Sequence, residues 1–294
     1  MSYTVDTATR LKVAPITPRF GAVVEGVNAK EPLSPEDITF LKDSILKYKV
    51  LFLREQNLTA KEQFDFATHF GAPYDGRAGR FTQDYEEGGL SRVTLVPHFH
   101  ADIMYGKEGP SFSMLQMLEL PDLGGDTMWA DLVSSYEKLS QPIKELLESL
   151  EASYVMPNYY LSDEDLRVSH LRQFEEELDD VKLKELRDFM RPNIHPVVRV
   201  IPETGQKNYW VSEQHTERIV GVSKWESEAI LNLLFRQQMR PEFVIRWSWT
   251  VGDIAFWDHR TTLHSGVNDY GQQKRRGQRA SVGPNEPVGV NQAH

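Results

Sequence analysis

The chain has 294 residues, contains no cysteine and carries a formal net charge of -10 at pH 7. Without cysteine, disulfides, thiolate nucleophiles, iron–sulfur clusters and cysteine-bound zinc are excluded, so any metal must be held by His, Asp or Glu. The acidic balance disfavours nucleic acid as a partner, because phosphate contacts need clustered Lys and Arg. No signal peptide or membrane-length apolar run is visible in the sequence, which predicts a cytoplasmic protein with no membrane partner.

The first part of the chain predicts two helices with a short buried strand between them. The first helix begins after Ser34, and the second opens with a capping box at 59–62. The apolar run Val50–Leu53 between them is predicted to be a strand. Residues 72–98 contain four glycines and little periodicity, which predicts a long loop of the kind that commonly carries function.

The rest of the chain is predicted to be rich in strands. Helical patterns cover 132–150, a charged helical insertion is expected around 160–192, and a further capping box lies at 223–226. No βαβ alternation or glycine-rich phosphate loop is found, so a nucleotide-binding fold is disfavoured and one mainly β domain, a sandwich or jelly roll with flanking helices, is expected over 1–294. The predicted strands are 112–118, 127–130, 197–201, 209–212, 243–249, 254–257 and 280–282.

The segment 98–102 places two histidines and an aspartate at alternate positions. In a strand, His100 and Asp102 would point to the same side, whereas His98 and Asp102 would lie ~13 Å apart, so at most two of the three can bind one ion. His264 is the leading candidate for a third ligand. Two histidines and one carboxylate form the facial triad that leaves positions open on non-haem iron(II). By itself, however, a His-x-Asp pair is also typical of a polar strand edge with an incidental histidine.

Several separated motifs, in this order along the chain, resemble the taurine/2-oxoglutarate dioxygenase (TauD/TfdA) family. The resemblance covers nearly the whole chain, and the order and spacing of the motifs make it far more specific than any one of them. The motifs are VLFLR at 50–54, FG at 70–71, the His-x-Asp pair, LELP at 118–121, GGDTMW at 124–129, PEF at 241–243, RW at 246–247, GDIAFWD at 252–258 and RTTLH at 260–264.

The resemblance implies a double-stranded β-helix core, a variant of the jelly roll, with iron(II) held by His100, Asp102 and His264. It implies an enzyme that uses 2-oxoglutarate and O2 to oxidise a small organic substrate, which can be anionic, with release of succinate and CO2. Hydroxylation is the first expected outcome. Desaturation and ring formation by the same chemistry are alternative outcomes. The oligomeric state is left open, and a homo-oligomer is one of the alternatives.

The resemblance also implies that Thr127 and Arg275 hold the distal carboxylate of 2-oxoglutarate. An arginine suits this role because its guanidinium stays charged and binds a carboxylate in a fork, and a hydroxyl donor completes the hydrogen bonds of the anion. Arg279 lies four residues further on and is expected on the same face, near the other carboxylate of the cosubstrate or near an anionic substrate. A slip of one residue would put Arg276 in place of Arg275.

The sequence is less informative about the substrate. Residues 74–79 lack the histidine of the taurine enzyme pattern, and Val96 stands where that pattern has asparagine, so taurine is disfavoured. An ordinary loop role is as compatible with each candidate substrate residue as a binding role. The candidates are Tyr74, Arg77, Arg80, His98, Tyr105, Tyr159, Tyr160, His215 and Arg279.

Two other classes of function are compatible with the ligand types. A zinc-type hydrolase could use the same histidines and aspartate, but it would leave Thr127 and Arg275 without a purpose. A catalytically silent binding protein would have no need of the whole set. His259 occupies a position where the family commonly has asparagine and is interpreted as structural, and Asp258 and Arg260 are expected to fix the adjacent turn.

Overall fold

The structure is a computed structural model that describes residues 9–74, 98–155 and 191–292, the backbone of three short strands at 4–5, 85–86 and 90–92, and residue 181. Most of the predicted charged insertion around 160–192 lies outside the described residues. So do five residues named above, Arg77, Arg80, Val96, Tyr159 and Tyr160. No helix in the described part of the chain is long and apolar enough to cross a membrane.

Strands form most of the regular structure. In chain order they are β1 (Thr4–Val5), β2 (Lys12–Pro15), β3 (Ala22–Glu25), β4 (Val50–Leu53), β5 (Tyr85–Glu86), β6 (Leu90–Arg92), β7 (Gly109–Glu119), β8 (Thr127–Asp131), β9 (Glu151–Tyr154), β10 (Asn193–Pro196), β11 (Val198–Val200), β12 (Lys207–Tyr209), β13 (Thr216–Ile219), β14 (Val244–Trp247), β15 (Ile254–Asp258), β16 (Thr262–Gly266) and β17 (Arg276–Asn285).

The described helices flank these strands. They are α1 (Pro35–Tyr48), α2 (Ala60–Thr68), α3 (Leu132–Glu137), α4 (Gln141–Glu148) and α5 (Lys224–Gln238), with a 3-10 turn at Pro241–Phe243. The predicted capping boxes are present at the starts of α2 and α5. Ser34 caps α1, because its hydroxyl accepts a hydrogen bond of 3.0 Å from the backbone N–H of Asp37.

Two sheets face each other and enclose the central core. The larger sheet has the strand order β1-β2-β3-β4-β15-β7-β17-β6-β5, and the smaller has the order β14-β8-β16. Between them, the ring of Phe52 from β4 stacks on Trp247 from β14 with ring centroids 3.8 Å apart, and Trp129 and Trp257 are fully buried beside them. This arrangement confirms the expected mainly β jelly-roll core with flanking helices.

The alternation of side chains along β4 explains how the larger sheet is covered on both faces. Val50 and Phe52 point into the core between the sheets, whereas Leu51 and Leu53 join a second cluster with residues of α1 and α2. A third cluster packs Ala130 and Leu263 of the smaller sheet against residues of α3, α5 and the short strands β9, β11, β12 and β13. The smaller sheet is therefore also buried on both faces.

Three local predictions needed correction. The helical pattern over 132–150 forms two helices, α3 and α4, because Pro142 at the start of α4 cannot continue a preceding helix. The strand predicted at 243–249 is confined to Val244–Trp247, since Phe243 belongs to the 3-10 turn. The stretch 72–98, predicted to be a loop, contains the short strands β5 and β6.

Candidate metal centre

The centre of the site is a single β-bridge that pairs two residues far apart in the chain, His100 and His264. His100 and His264 exchange both backbone hydrogen bonds, at 3.0 Å from His100 N to His264 O and 2.7 Å in the other direction. Their rings therefore lie side by side, with centroids 4.3 Å apart. His264 belongs to β16, which is held in register by β8, so the position of this histidine is set by the smaller sheet.

Asp102 reaches the same point from a turn and not from the strand that the alternate spacing predicts. The bridge at His100 is isolated, and Ile103 adopts a positive φ of 57° directly after the aspartate. The chain changes direction at this point, so the alternation of side chains along a strand does not apply. The turn therefore brings the side chains of His100 and Asp102 to the same side.

The three predicted metal ligands converge. One ligand atom from each of His100, Asp102 and His264 lies within 4.8 Å of the others. Nε2 of His100 is 3.6 Å from Oδ1 of Asp102, and Nε2 of His264 is 4.0 Å from Oδ2. His98, in contrast, is exposed and contributes its backbone carbonyl, which accepts a hydrogen bond of 2.8 Å from Nδ1 of His100. Because the carbonyl can only accept, Nδ1 is the donor, and Nε2 is the nitrogen that faces Asp102 and is left to bind a metal.

The donor set fits a divalent metal ion. Burial lowers the pKa of His264 well below its ordinary value, which keeps the imidazole neutral and able to bind a metal. Burial opposes ionisation of Asp102, but Arg279 together with the three neighbouring histidines outweighs it, and the pKa of this carboxyl lies well below its usual range. The site therefore offers two imidazole nitrogens and one carboxylate, the pattern preferred by non-haem iron(II).

The predicted cosubstrate residues also lie together. The guanidinium of Arg275 donates from Nη2 to Oγ1 of Thr127 at 3.0 Å and from Nε to the carbonyl of Gly125 at 2.7 Å. Arg276 is exposed, with its Nε 3.7 Å from Oε2 of Glu119. The residue beside Thr127 is therefore Arg275, and the slip of one residue that the sequence allowed does not occur. Among the described residues no partner is found for Nη1 of Arg275, so this nitrogen can donate to an anion.

The strand register brings this pair close to the histidines. Trp129 lies opposite His264 in the pairing of β8 with β16, and Thr127 precedes Trp129 by two residues. Residues two apart on a strand share a face and are about 7 Å apart, so Thr127 and His264 both face the interior between the sheets. Thr127, Arg275 and the three candidate ligands thus belong to one site.

Arg279 has a partner that the sequence did not predict. Its Nη1 donates to Oδ2 of Asp102 at 2.6 Å, and its Nε is buried without a hydrogen-bond partner among the described residues. This arginine therefore supports a candidate metal ligand directly. Its predicted contact with the cosubstrate or with the substrate stays a prediction.

The predicted substrate residues are less tightly grouped. Tyr74 is half-buried, and its hydroxyl donates to the carbonyl of Glu108 at 2.8 Å. Tyr105 is buried with its ring centroid 5.3 Å from that of His215, and His215 lies 6.1 Å from His100. Tyr105 and His215 therefore line the neighbourhood of the metal centre, whereas His98 is exposed beside it.

Two residues at the site were missed by sequence reasoning. Trp249, at the end of the strand predicted over 243–249, is half-buried and donates from its indole nitrogen to Oγ1 of Thr127 at 3.0 Å. His259, interpreted as structural, is buried with its Nε2 3.3 Å from Oδ2 of Asp102. The only sequence signal for His259 was its place five residues before His264. As expected, Asp258 and Arg260 fix the adjacent turn through a bidentate pair, with 2.9 and 2.8 Å bonds from Nε and Nη2.

Comparison with known proteins agrees with this geometry. The model of the taurine catabolism dioxygenase TauD, TfdA family matches residues 12–281. An alkylsulfatase of Acinetobacter baylyi is 34% identical over 275 residues, which cover 90% of this chain and 83% of that protein. An alpha-ketoglutarate-dependent sulfate ester dioxygenase of Pseudomonas putida is 30% identical over 98% of this chain and 94% of that protein.

The fold is also found among solved structures. A taurine dioxygenase from Burkholderia xenovorans superimposes with a TM-score of 0.80 at 29% sequence identity, covering 97% of this chain and 93% of that chain. The likeness therefore extends over the whole fold, including the sheets that carry His264, Thr127 and Arg275.

Proposed function

Because the chain belongs to the TauD/TfdA family of 2-oxoglutarate-dependent dioxygenases, we propose that it oxidises small organic sulfate esters at an iron(II) ion held by His100, Asp102 and His264. The reaction class follows from the family, and the enzyme is an iron(II)- and 2-oxoglutarate-dependent oxidoreductase that acts on small molecules. The convergence of the three ligand atoms within 4.8 Å is the observation that carries the metal assignment.

When bound, iron(II), 2-oxoglutarate and O2 supply the oxidising chemistry, in which one oxygen atom enters succinate with loss of CO2 and the other enters the substrate. The protein positions these reactants. The carbonyl of His98 holds the ring of His100 through Nδ1, and Arg279 donates to Asp102 and helps to keep it ionised. Three protein ligands on one side leave the remaining positions of the ion to cosubstrate and oxygen.

Thr127 and Arg275 bind the distal carboxylate of 2-oxoglutarate in this proposal. Arg275 is pre-oriented, because its Nε and Nη2 are engaged by Gly125 and Thr127 while Nη1 points to no described acceptor. A fixed guanidinium loses little conformational freedom when it binds an anion, and its charge is less screened in a half-buried pocket. These contacts support recognition of a dicarboxylate and leave the zinc-type hydrolase without an explanation for the pair.

The substrate class is supported by the two relatives named for sulfate ester chemistry. Oxidation at the carbon that bears the sulfate oxygen converts R–CH2–OSO3⁻ into R–CH(OH)–OSO3⁻. This product collapses to an aldehyde and hydrogen sulfate when the C–O bond to sulfate breaks and the hydroxyl proton is lost. One equivalent each of O2 and 2-oxoglutarate is consumed, and succinate and CO2 are formed. Sulfate release is therefore explained by an oxidation, with no hydrolytic water required.

The first test combines metal and cosubstrate binding with product analysis. Anaerobic addition of iron(II) and 2-oxoglutarate to the metal-free protein is expected to produce the weak visible charge-transfer absorption of the chelate. His264→Ala should abolish it and lower turnover at least about 100-fold, since loss of even an outer partner of a metal ligand costs about 10- to 100-fold. His69→Ala, a change at a half-buried histidine beyond the end of α2, serves as the matched control.

With an alkyl sulfate, aldehyde, sulfate and succinate are expected in equal amounts, and taurine should be a poorer substrate. Sulfate released without succinate would contradict the oxidation and favour the hydrolase. Binding of the cosubstrate without turnover of any sulfate ester, sulfonate or carboxylate would favour the silent binding protein. A cytoplasmic location, the absence of nucleic-acid partners and a homo-oligomeric state stay predictions.

A further inference from the structure

The feature that the proposed reaction does not use is His259, at the turn between β15 and β16. Its side chain is 1% exposed, and its backbone N–H donates to the carbonyl of Ser111 at 2.8 Å. The ring nitrogen Nε2 lies 3.3 Å from Oδ2 of Asp102 and 2.7 Å from Oγ of Ser113. The imidazole is therefore wedged between a candidate metal ligand and a serine of β7.

The two oxygens of Asp102 have different surroundings. Oδ2 receives the bond from Nη1 of Arg279 at 2.6 Å and faces Nε2 of His259. Oδ1 faces Nε2 of His100 at 3.6 Å, and Oδ2 also lies 4.0 Å from Nε2 of His264. The protein therefore holds the carboxylate from the side of Oδ2, where both Arg279 and His259 lie.

The surroundings of His259 favour one tautomer. If Nε2 carried no proton, its lone pair would face the ionised carboxylate of Asp102, and a buried N–H at Nδ1 would have no acceptor among the described residues. With the proton on Nε2, the N–H donates to Oγ of Ser113 at 2.7 Å and presents its partial positive charge to Oδ2 of Asp102 at 3.3 Å. Only a lone pair is then left at Nδ1, and no repulsive contact remains.

The strand pairing holds the ring in this position. Ser113 on β7 lies directly opposite Ser281 on β17, and their hydroxyls are 2.6 Å apart. Ser281 is two residues from Arg279, so the two side chains share a face of β17. One face of the larger sheet thus presents both groups that act on Oδ2 of Asp102, Arg279 directly and Ser113 with Ser281 through His259.

We propose that His259 is a positioning residue that, together with Arg279, fixes the orientation of the Asp102 carboxylate from the side of Oδ2. The inference rests on the proposed metal site. It assigns to His259 no contact with the metal, the cosubstrate or the substrate. Its role is to fix the orientation of one ligand.

Two substitutions of His259 separate this role from simple packing. In His259→Gln the side-chain amide nitrogen is the same number of bonds from Cα as Nε2 of histidine, so it can donate to Asp102. In His259→Asn the amide ends where Nδ1 lies and falls short of the carboxylate. Both variants retain a polar amide in a buried site, and glutamine and asparagine therefore differ mainly in reach.

The readout is the anaerobic iron(II) dissociation constant, measured by competition with a chromophoric chelator, with the melting temperature of the metal-free protein recorded in parallel. We expect about 10-fold or more weaker binding for His259→Asn, in the range found for outer partners of metal ligands, and a change within about 3-fold for His259→Gln. Ser113→Ala, which removes the support of the ring and not the ring itself, should weaken binding by an intermediate factor and serves if His259→Asn does not fold.

Equal iron(II) affinity of His259→Asn and the parent would overturn the proposal, and so would an equal loss in both variants that follows their melting temperatures. If the parent itself binds no iron(II), the proposed function fails, and this outcome is distinct from a failure of the positioning role. The proposal is supported if the parent binds iron(II) and His259→Asn, but not His259→Gln, binds it more weakly.

Discussion

The two sides of the site are built in different ways. On the cosubstrate side, Thr127 begins β8, Arg275 directly precedes β17, and the two are joined by a 3.0 Å hydrogen bond with Trp249 as a second donor. On the substrate side, Tyr105 and His215 come from connecting segments, and His98 is exposed. Strands that are hydrogen-bonded to neighbours hold their side chains to a fixed geometry, whereas connecting segments vary more freely. The cosubstrate side is therefore held mainly by paired strands, and we expect the choice of substrate to depend on the segments between them.

The largest effect is expected on the cosubstrate side, where Arg275→Ala should lose affinity for 2-oxoglutarate. Removing one partner of a half-buried charge pair costs about 2 to 5 kcal/mol, which corresponds to about 30-fold or more in the dissociation constant of 2-oxoglutarate. Isothermal titration of the anaerobic iron(II) protein measures it. Arg276→Ala, at the exposed neighbouring residue, is the matched control and should bind 2-oxoglutarate like the parent. Equal losses in the two variants would break the assignment of the cosubstrate side.

A smaller effect is expected for pH-dependent stability on the substrate side, where His215 is buried. Burial, followed by the nearby His100, lowers the pKa of His215 to about 3 in the folded protein, against about 6.5 when exposed. A lowered folded pKa means that the unfolded chain binds more protons below pH 6.5, so the contribution of His215 is present above that pH and is lost as the pH falls toward 3.

His215→Gln should therefore be less sensitive to acid than the parent. Between pH 7 and pH 5 the metal-free parent should lose about 2 kcal/mol more of its free energy of unfolding than the variant, roughly 30-fold in the unfolding equilibrium. Urea denaturation at the two pH values measures the difference. The same pH dependence in both proteins would show that His215 is not buried as a neutral group.

The smallest effects are expected from the substrate side itself. Tyr105→Phe and His98→Ala each remove one potential hydrogen bond to substrate, worth about 1 kcal/mol, so KM for an alkyl sulfate should rise by up to about 10-fold. The dissociation constant of 2-oxoglutarate should not change, because the described hydrogen-bond partners of the Thr127 and Arg275 side chains are Trp249, Gly125 and each other. Tyr48→Phe in α1 is the control. A loss of cosubstrate affinity that equals the rise in KM would show that the two sides are not separable.

The sequence predicted the strand-borne half of the site well. Val50–Leu53, the capping boxes before α2 and α5, and the strand that carries Thr127 depend on local rules of capping and alternation, which can be read from neighbouring residues in the sequence. The strand β16, which carries His264, was not predicted. The grouping of His100, Asp102 and His264 came from the resemblance and from the chemistry of the three residue types. The structure brings these three side chains together at the bridge between His100 and His264.

Other features were beyond the reach of the sequence. The local pattern around His100 predicted a strand, and only the structure revealed the isolated bridge and the turn at Ile103 that aim Asp102. Likewise, the pairing of Arg279 with Asp102, the bond from Trp249 to Thr127 and the contact of His259 join residues far apart in the chain.

By itself, the sequence determined the kind of protein: a cysteine-free, mainly β chain with the ligand types of a non-haem iron enzyme and the separated motifs of its family. The tertiary structure decided which oxygen of Asp102 is held by the protein, which of two adjacent arginines faces Thr127, and that His259 lies beside the metal site. The reason is physical. Local propensity and side-chain period are set by neighbours in sequence, whereas the direction of a buried hydrogen bond depends on strands that meet only when the sheets have packed.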